Sequence, residues 1–235
     1  MIGAVADDSF GHALKANLDT HGVDTRAVRR IAGEGSGMSV AIFDAEGDYG
    51  AVIVSGSNLA LSEEDVSAAG GLFRSDSVLV LQNEVPDEAN VLAAQAMKKA
   101  GGRVVLNAAP ARSPSLELAA LVDVVVVNAV EAEELAEVPE VNSLDTALAA
   151  ARILVKHYPA AVVTAGGDGV AFVQDDGYEA KVPAIKVKLV STHGAGDEFI
   201  GALAAELALG ATLERAVGRG NEAAARLVSS FQHST

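Results

Sequence analysis

The residues best placed to do chemistry lie in Val190-Ser191-Thr192-His193-Gly194-Ala195-Gly196-Asp197-Glu198-Phe199-Ile200-Gly201-Ala202. A strand-like run (Ile185, Val187, Leu189, Val190) leads into Gly194 and Gly196, then an acid, then an Ala/Leu-rich helix. Peptide N–H groups at a helix start have no intrahelical partner and carry partial positive charge, so such a turn can hold an anion. Glycine lets the main chain approach that anion with no Cβ in the way. Asp197, at the lip of the turn, could take a proton from a hydroxyl that attacks the anion. The plainer alternative is a tight glycine turn with Asp197 serving the helix start.

Other residues stand at the ends of apolar runs, where open α/β sheets place ligands. Asn128 and Glu131 follow Val122–Val127, and their spacing is also that of a capping box. Thr164-Ala165-Gly166-Gly167-Asp168-Gly169 joins two strand-like runs, and Asp168-Gly169 alone reads as a hairpin turn. Neither glycine stretch fits a G-x-x-x-x-G-K-[ST] phosphate loop or a G-x-G-x-x-G dinucleotide fingerprint, so a Rossmann oxidoreductase has little support. Glu84, in Gln82-Asn83-Glu84-Val85-Pro86, is either a ligand contact or a solvated acid leading a helix. Asn221, in a late Ala-rich helix, reads as a surface amide. The five histidines show no metal-ligand spacing.

Positioning these groups requires a framework, and the hydropathy pattern describes one. Apolar runs at 78–81, 103–106, 122–127 and 161–164 alternate with helical patterns at about 87–99, near 131 and at about 144–157. Continuous Val/Leu runs separated by helices predict an α/β fold, a mostly parallel sheet with helices on both faces. Val170–Val173 and Val182–Val190, flanking a polar turn at Asp175-Asp176-Gly177, predict a short antiparallel addition before two final helices. A helix is expected from about Asp8 to Thr20. Residues 39–43 and 51–54, flanking the turn-rich stretch Asp44-Ala45-Glu46-Gly47-Asp48, predict a hairpin. Ser62-Glu63-Glu64-Asp65 reads as a helix start.

At 235 residues the chain suits one α/β domain with a substantial core. Half of it is hydrophobic and only 4% aromatic, so the core is aliphatic. With no cysteine, disulfides and Cys-ligated zinc are excluded. A net charge of −15 argues against a general nucleic-acid or anionic-membrane surface. It also means that an anionic ligand must be drawn in by local features. No run is long enough for a membrane span, and the first residues lack the basic segment of a signal peptide, so a cytoplasmic setting is expected.

Thr192-His193-Gly194-Ala195-Gly196-Asp197-Glu198-Phe199-Ile200-Gly201-Ala202 resembles the C-terminal signature of the ribokinase-like (PfkB-type) carbohydrate kinases. The resemblance extends over nearly the whole chain. Gly3-Ala4-Val5-Ala6-Asp7-Asp8-Ser9-Phe10-Gly11, Gln82-Asn83-Glu84-Val85-Pro86, Leu106-Asn107-Ala108-Ala109-Pro110-Ala111-Arg112, Val127-Asn128-Ala129-Val130-Glu131 and Thr164-Ala165-Gly166-Gly167-Asp168-Gly169 are similar to family elements in the family order. It implies a three-layer αβα fold as a single domain over 1–235, with residues 36–56 as a β lid through which a homodimer could form. It implies ATP-dependent phosphorylation of a sugar hydroxyl, with ribose as the acceptor; fructose, a keto-deoxy sugar acid or a nucleoside are the other acceptors.

Residue by residue, the resemblance makes Asp197 the base and a sugar contact, with Gly194, Ala195 and Gly196 as the anion hole. Thr164, Gly166, Gly169, Thr192, Asn128 and Asn221 would line the nucleotide site. Asn128 and Glu131 would organise Mg2+, and Glu84 would contact the sugar. Ser191 stands where many members have an aspartate that helps bind a monovalent cation; serine brings no charge, which argues against potassium activation. The chain begins after the family's usual first strand and Gly-Gly sugar-binding motif and ends at Gln232-His233-Ser234-Thr235, short of the usual C-terminal elements. A truncated or degenerate relative that binds nucleotide without turnover is therefore the alternative.

Overall fold

The computed structural model describes residues 1–43 and 49–230. The expected turn at 44–48 and the terminal stretch from Gln232 lie outside the described residues. The chain divides into two compact units: Met1–Phe73 with Glu84–Ala93, and Arg74–Asn83 with Ala94–Thr235.

In the first unit, β1 (Ile2–Ala6) is followed by α1 (Ser9–Thr20) and β2 (Ala27–Ile31). Asp8 caps α1, accepting the Gly11 N–H at 2.7 Å, and its carboxylate also holds the Ser36 N–H and hydroxyl at 2.9 and 2.7 Å. These bonds, the Ser36 N–H foremost, hold the Asp8 carboxyl below its ordinary value. β1 and β2 pair in parallel, with Ala4 opposite Arg29. The sequence reading contains no strand at 27–31, because Arg29 and Arg30 interrupt both alternation and apolar continuity. Arg29 is accommodated by an ion pair with Asp65 (Nε to Oδ1, 2.6 Å). β3 (Met38–Phe43) and β4 (Tyr49–Val54) pair antiparallel, as the expected hairpin requires, and fall within the candidate lid. α2 (Glu63–Ala68) opens with a Ser62/Asp65 capping box.

The second unit carries the sheet. β5 (Val78–Gln82) is followed by α3 (Asp87–Lys99), which contributes residues to both units. Then come β6 (Arg103–Asn107), α4 (Leu116–Ala119), β7 (Val124–Asn128), α5 (Ala129–Ala136), α6 (Leu144–Leu154), β8 (Ala160–Thr164), β9 (Gly169–Gln174), β10 (Glu179–Pro183), α7 (Ala195–Ala208) and α8 (Leu213–Ser229). The strand order is β10-β9-β8-β7-β6-β5, with β5 to β8 parallel and β8-β9-β10 antiparallel.

Strand side chains alternate between faces. Val124, Val126, Val162 and Phe172 pack with Phe199, Leu203 and Val217 of α7 and α8. The intervening residues, Val125, Val127, Ala161 and Val163, are equally buried and face α5 and α6, which pack against β7 and β8. Both faces are covered, so the strands read as unbroken apolar runs. This is the three-layer α/β architecture expected. Among the described residues no helix is long and apolar enough to cross a membrane.

One expectation fails. No strand runs over Val182–Val190: β10 ends at Pro183, and residues 184–190 have no regular structure. Pro183 pairs with Gly169, the first residue of β9, so the strand runs out of partner there, and proline has no N–H to donate.

Candidate active site

A cleft of about 430 Å³ opens in the second unit. The loop after β8, the irregular segment 184–189 and the facing ends of α7 and α8 line it. Thr164, Gly166, Gly169, Thr192, Ala195, Gly196 and Asn221, singled out from the sequence, all belong to its wall. Four separate stretches of chain therefore converge on one space.

The loop after β8 is both things the sequence allowed. It is a hairpin connection, since β8 and β9 are antiparallel and the Ala165 N–H donates to the Gly169 carbonyl at 2.8 Å. It is also a wall of the cleft. Gly169 has φ 122°, and a Cβ there would lie 2.2 Å from the Val182 carbonyl oxygen, so only glycine closes this turn against β10.

Asn221 reaches the cleft because α8 approaches α7 closely. Gly220 faces Phe199, where a Cβ would come within 2.7 Å of the ring. The next residue, Asn221, is buried, and its Nδ2 donates to the Pro183 carbonyl at 2.9 Å. It is a pocket residue and not a surface amide.

At the start of α7, Gly194 occupies the left-handed region (φ 77°) and turns the chain into the helix. The Glu198 N–H closes the first turn on the Gly194 carbonyl at 3.0 Å. The Ala195 N–H donates back to the Thr192 carbonyl at 3.2 Å, so it is already engaged. Among the described residues, the N–H groups of Gly194, Gly196 and Asp197 have no backbone acceptor. Of the three residues expected to form an anion hole, Ala195 thus has its N–H engaged, while those of Gly194 and Gly196, and of Asp197 beside them, are left open. Gly196 is special in a second way: a Cβ built on it meets nothing within 4 Å. The fold does not demand a glycine there.

Asp197 is exposed beside Gly196 and has no ion-pair partner among the described residues. Neither it nor Gly194 forms part of the cleft wall itself; both stand at its rim through their neighbours in the chain. Ser191 is used locally, its Oγ accepting the His193 N–H at 3.2 Å.

Asn128 and Glu131 form the reciprocal capping box: Glu131 Oε2 accepts the Asn128 N–H at 2.8 Å, and Asn128 Oδ1 accepts the Glu131 N–H at 2.9 Å. The β7–β8 register places Asn128 opposite Thr164, a cleft residue. Capping and ligand binding are compatible here, because the box uses one carboxylate oxygen and leaves the other. One carboxylate oxygen with an exposed amide at a strand end suits magnesium held largely through water. No cluster of three or more His, Cys, Asp or Glu able to hold a metal directly exists among the described residues.

Burial pushes the Glu131 carboxyl above its ordinary value of 4.5; the Asn128 N–H opposes this and Glu134 adds to it. A raised folded value means that the native state holds the proton more tightly than the unfolded chain. Stability then falls as pH rises from about 4.5 through the folded value. Glu131→Gln keeps an acceptor for the Asn128 N–H and removes the charge. Its urea-unfolding free energy should decline less steeply than the parent's as pH rises above about 4.5; parallel curves would contradict this assignment.

Glu84 is not part of the cleft wall; it falls in the first unit, between β5 and α3. The sequence reading missed the lining role of Ile185, Lys186, Val187 and Leu189, and of Ala224, Ala225 and Val228 on α8. The alternation at 185–189 is visible in the sequence, where it reads as a strand-like run.

Comparison with known proteins identifies the family. A pfkB family carbohydrate kinase profile matches residues 1–235. The deoxyribokinase of Salmonella typhi is 36% identical over 206 residues, covering 87% of this chain and 67% of that protein. The ribokinase of Haemophilus influenzae is 32% identical over 224 residues, covering 95% and 73%. The structure of Arabidopsis thaliana ribokinase complexed with ribose and ATP superposes with a TM-score of 0.85 at 25% identity, covering 97% of this chain and 75% of that one. The chain thus spans about two thirds to three quarters of these proteins. The signature and the profile over residues 1–235 agree: the chain belongs to the pfkB family of carbohydrate kinases, phosphotransferases that act on sugar hydroxyl groups.

Proposed function

We propose that this chain transfers the γ-phosphoryl group of ATP to a hydroxyl of a pentose, with ribose as the acceptor, in a cytoplasmic setting. The observation that carries the reading is the cleft in the second unit, which joins an aliphatic wall to a helix start with unengaged amides and a free carboxylate. The aliphatic wall suits a nucleobase, and the helix start suits its terminal phosphate. Phosphoryl transfer asks the protein for positioning and charge stabilisation more than for covalent chemistry.

In this reading Asp197 accepts the proton of the acceptor hydroxyl as its oxygen attacks the γ-phosphorus. The bond from that phosphorus to the β–γ bridging oxygen breaks, and ADP leaves. The N–H groups of Gly194, Gly196 and Asp197 hold the transferring oxygens, where donors aimed at developing charge act most strongly. Asn128 and Glu131 would hold magnesium through water, and the ion would supply screening of phosphate charge. Glu84 would orient the sugar.

The ribokinase relatives support ribose; the deoxyribokinase at 36% identity supports 2-deoxyribose as a second acceptor. The test is ADP production with ATP and magnesium chloride across ribose, 2-deoxyribose, fructose, a keto-deoxy sugar acid and a nucleoside. Turnover highest with ribose is the expected outcome. ATP binding with no turnover on any acceptor would favour a nucleotide-binding relative without activity.

A further inference from the structure

Lys186 is the one charged residue among those that line the cleft. The rest of the wall is glycine, aliphatic or neutral polar, with Phe199 below. The chain as a whole carries a net charge of −15, so a polyanion entering this cleft meets an unfavourable background field. Among the described residues Lys186 has no ion-pair partner, unlike Lys181, whose Nζ lies 2.7 Å from Asp145 Oδ1.

Its segment is irregular but tethered at both ends. The Pro183 carbonyl accepts from Asn221 Nδ2 at 2.9 Å, and the Ala184 N–H donates to the Asp168 carbonyl at 3.0 Å. At the other end the Val190 N–H donates to the Val228 carbonyl at 2.8 Å. The stretch between these tethers is strung between the loop after β8 and α8, and Lys186 stands on it two residues beyond Ala184. Lysine is a mobile point charge on a long stem, suited to a phosphate chain whose position is set by other contacts.

We infer that Lys186 is a specificity residue that pairs with the polyphosphate of the bound nucleotide, so that the cleft distinguishes nucleotides from nucleosides. This rests on the nucleotide reading of the cleft. An ammonium on an exposed stem gives a moderate effect, a roughly three- to tenfold change in affinity.

The test is calorimetry of the full chain and its Lys186→Met and Lys186→Arg variants with ATP, ADP and adenosine, in magnesium chloride at low and high salt. The expected result is ATP and ADP affinity reduced in Lys186→Met and retained in Lys186→Arg, adenosine affinity unchanged, and a smaller salt dependence for ATP in Lys186→Met. Equal ATP affinity in Lys186→Met and the parent overturns the inference, as does an equal loss for ATP and adenosine, which would mean that the stem only packs. If the parent binds neither ATP nor adenosine, the nucleotide reading itself falls and this inference with it.

Discussion

Replacing Asp197 with asparagine is expected to lower turnover about 10²- to 10⁴-fold, the range for loss of a positioned general base. ATP affinity and the midpoint of unfolding should stay close to those of the parent. The reasoning is structural: Asp197 is exposed, holds no ion-pair partner among the described residues, and caps nothing, since no side chain caps α7. The fold uses it only through its charge at the start of α7, so its loss costs no more than about 1 kcal/mol of stability. Asparagine keeps the size and shape but cannot accept the proton. The measurement is the ratio of kcat for the two proteins with the preferred acceptor, alongside ATP titration and thermal unfolding. A variant that unfolds early would show that the carboxylate has a structural task. Turnover equal to the parent's would remove Asp197 from the chemistry.

Gly196→Ala is expected to act with opposite signs on stability and activity. Within a helix, glycine costs about 1 kcal/mol relative to alanine, and a compatible Gly→Ala change stabilises by about 0.4–1 kcal/mol through the unfolded chain. Gly196 meets the condition for that gain, since a Cβ has open space around it and φ is not in the left-handed region. Yet the same space lies at the cleft, next to an N–H with no backbone acceptor. A methyl group there would hold a phosphate away from the amide. Loss of one such donor elsewhere costs on the order of 10²-fold in turnover, and that is the fall expected here. Urea unfolding and steady-state kinetics on one preparation check both signs. Destabilisation would show that the glycine serves the helix; unchanged turnover would show that no anion sits there.

These two residues show how differently the parts of the molecule are written in the sequence. The parallel strands were legible because both faces of β7 and β8 are buried, which forces runs such as Val124-Val125-Val126-Val127 with no polar interruption. Local hydrogen-bond chemistry was legible for the same kind of reason: Ser62 with Asp65, and Asn128 with Glu131, must stand three apart to serve each other. β2 was hidden because Arg29 solves its problem with Asp65, distant in sequence, and no pattern within five residues can show that. Segment 184–190 was misread because alternation of Ile185, Val187 and Leu189 reports a shared face, not a strand partner; the partner ends at Gly169.

The site follows the same division. Thr164, Gly166, Gly169, Thr192, Gly196 and Asn221 were each singled out by the family resemblance, and the fold brings them together. The engagement of the Ala195 amide by Thr192 depends on the turn of the backbone at Gly194, and residue types alone do not reveal it. Lys186 shows its place only in the fold, since a lysine between apolar residues carries no local signal of a cleft.

The central claim is that Asp197 and the unengaged amides beside it face one phosphorus atom. A crystal structure with magnesium and a non-hydrolysable ATP analogue measures this directly. Terminal phosphate oxygens are expected at about 2.7–3.1 Å from the Gly194 and Gly196 nitrogens, with the Asp197 carboxylate on the side from which an acceptor would attack. A terminal phosphate lodged elsewhere, with Asp197 turned away from it, would contradict the account.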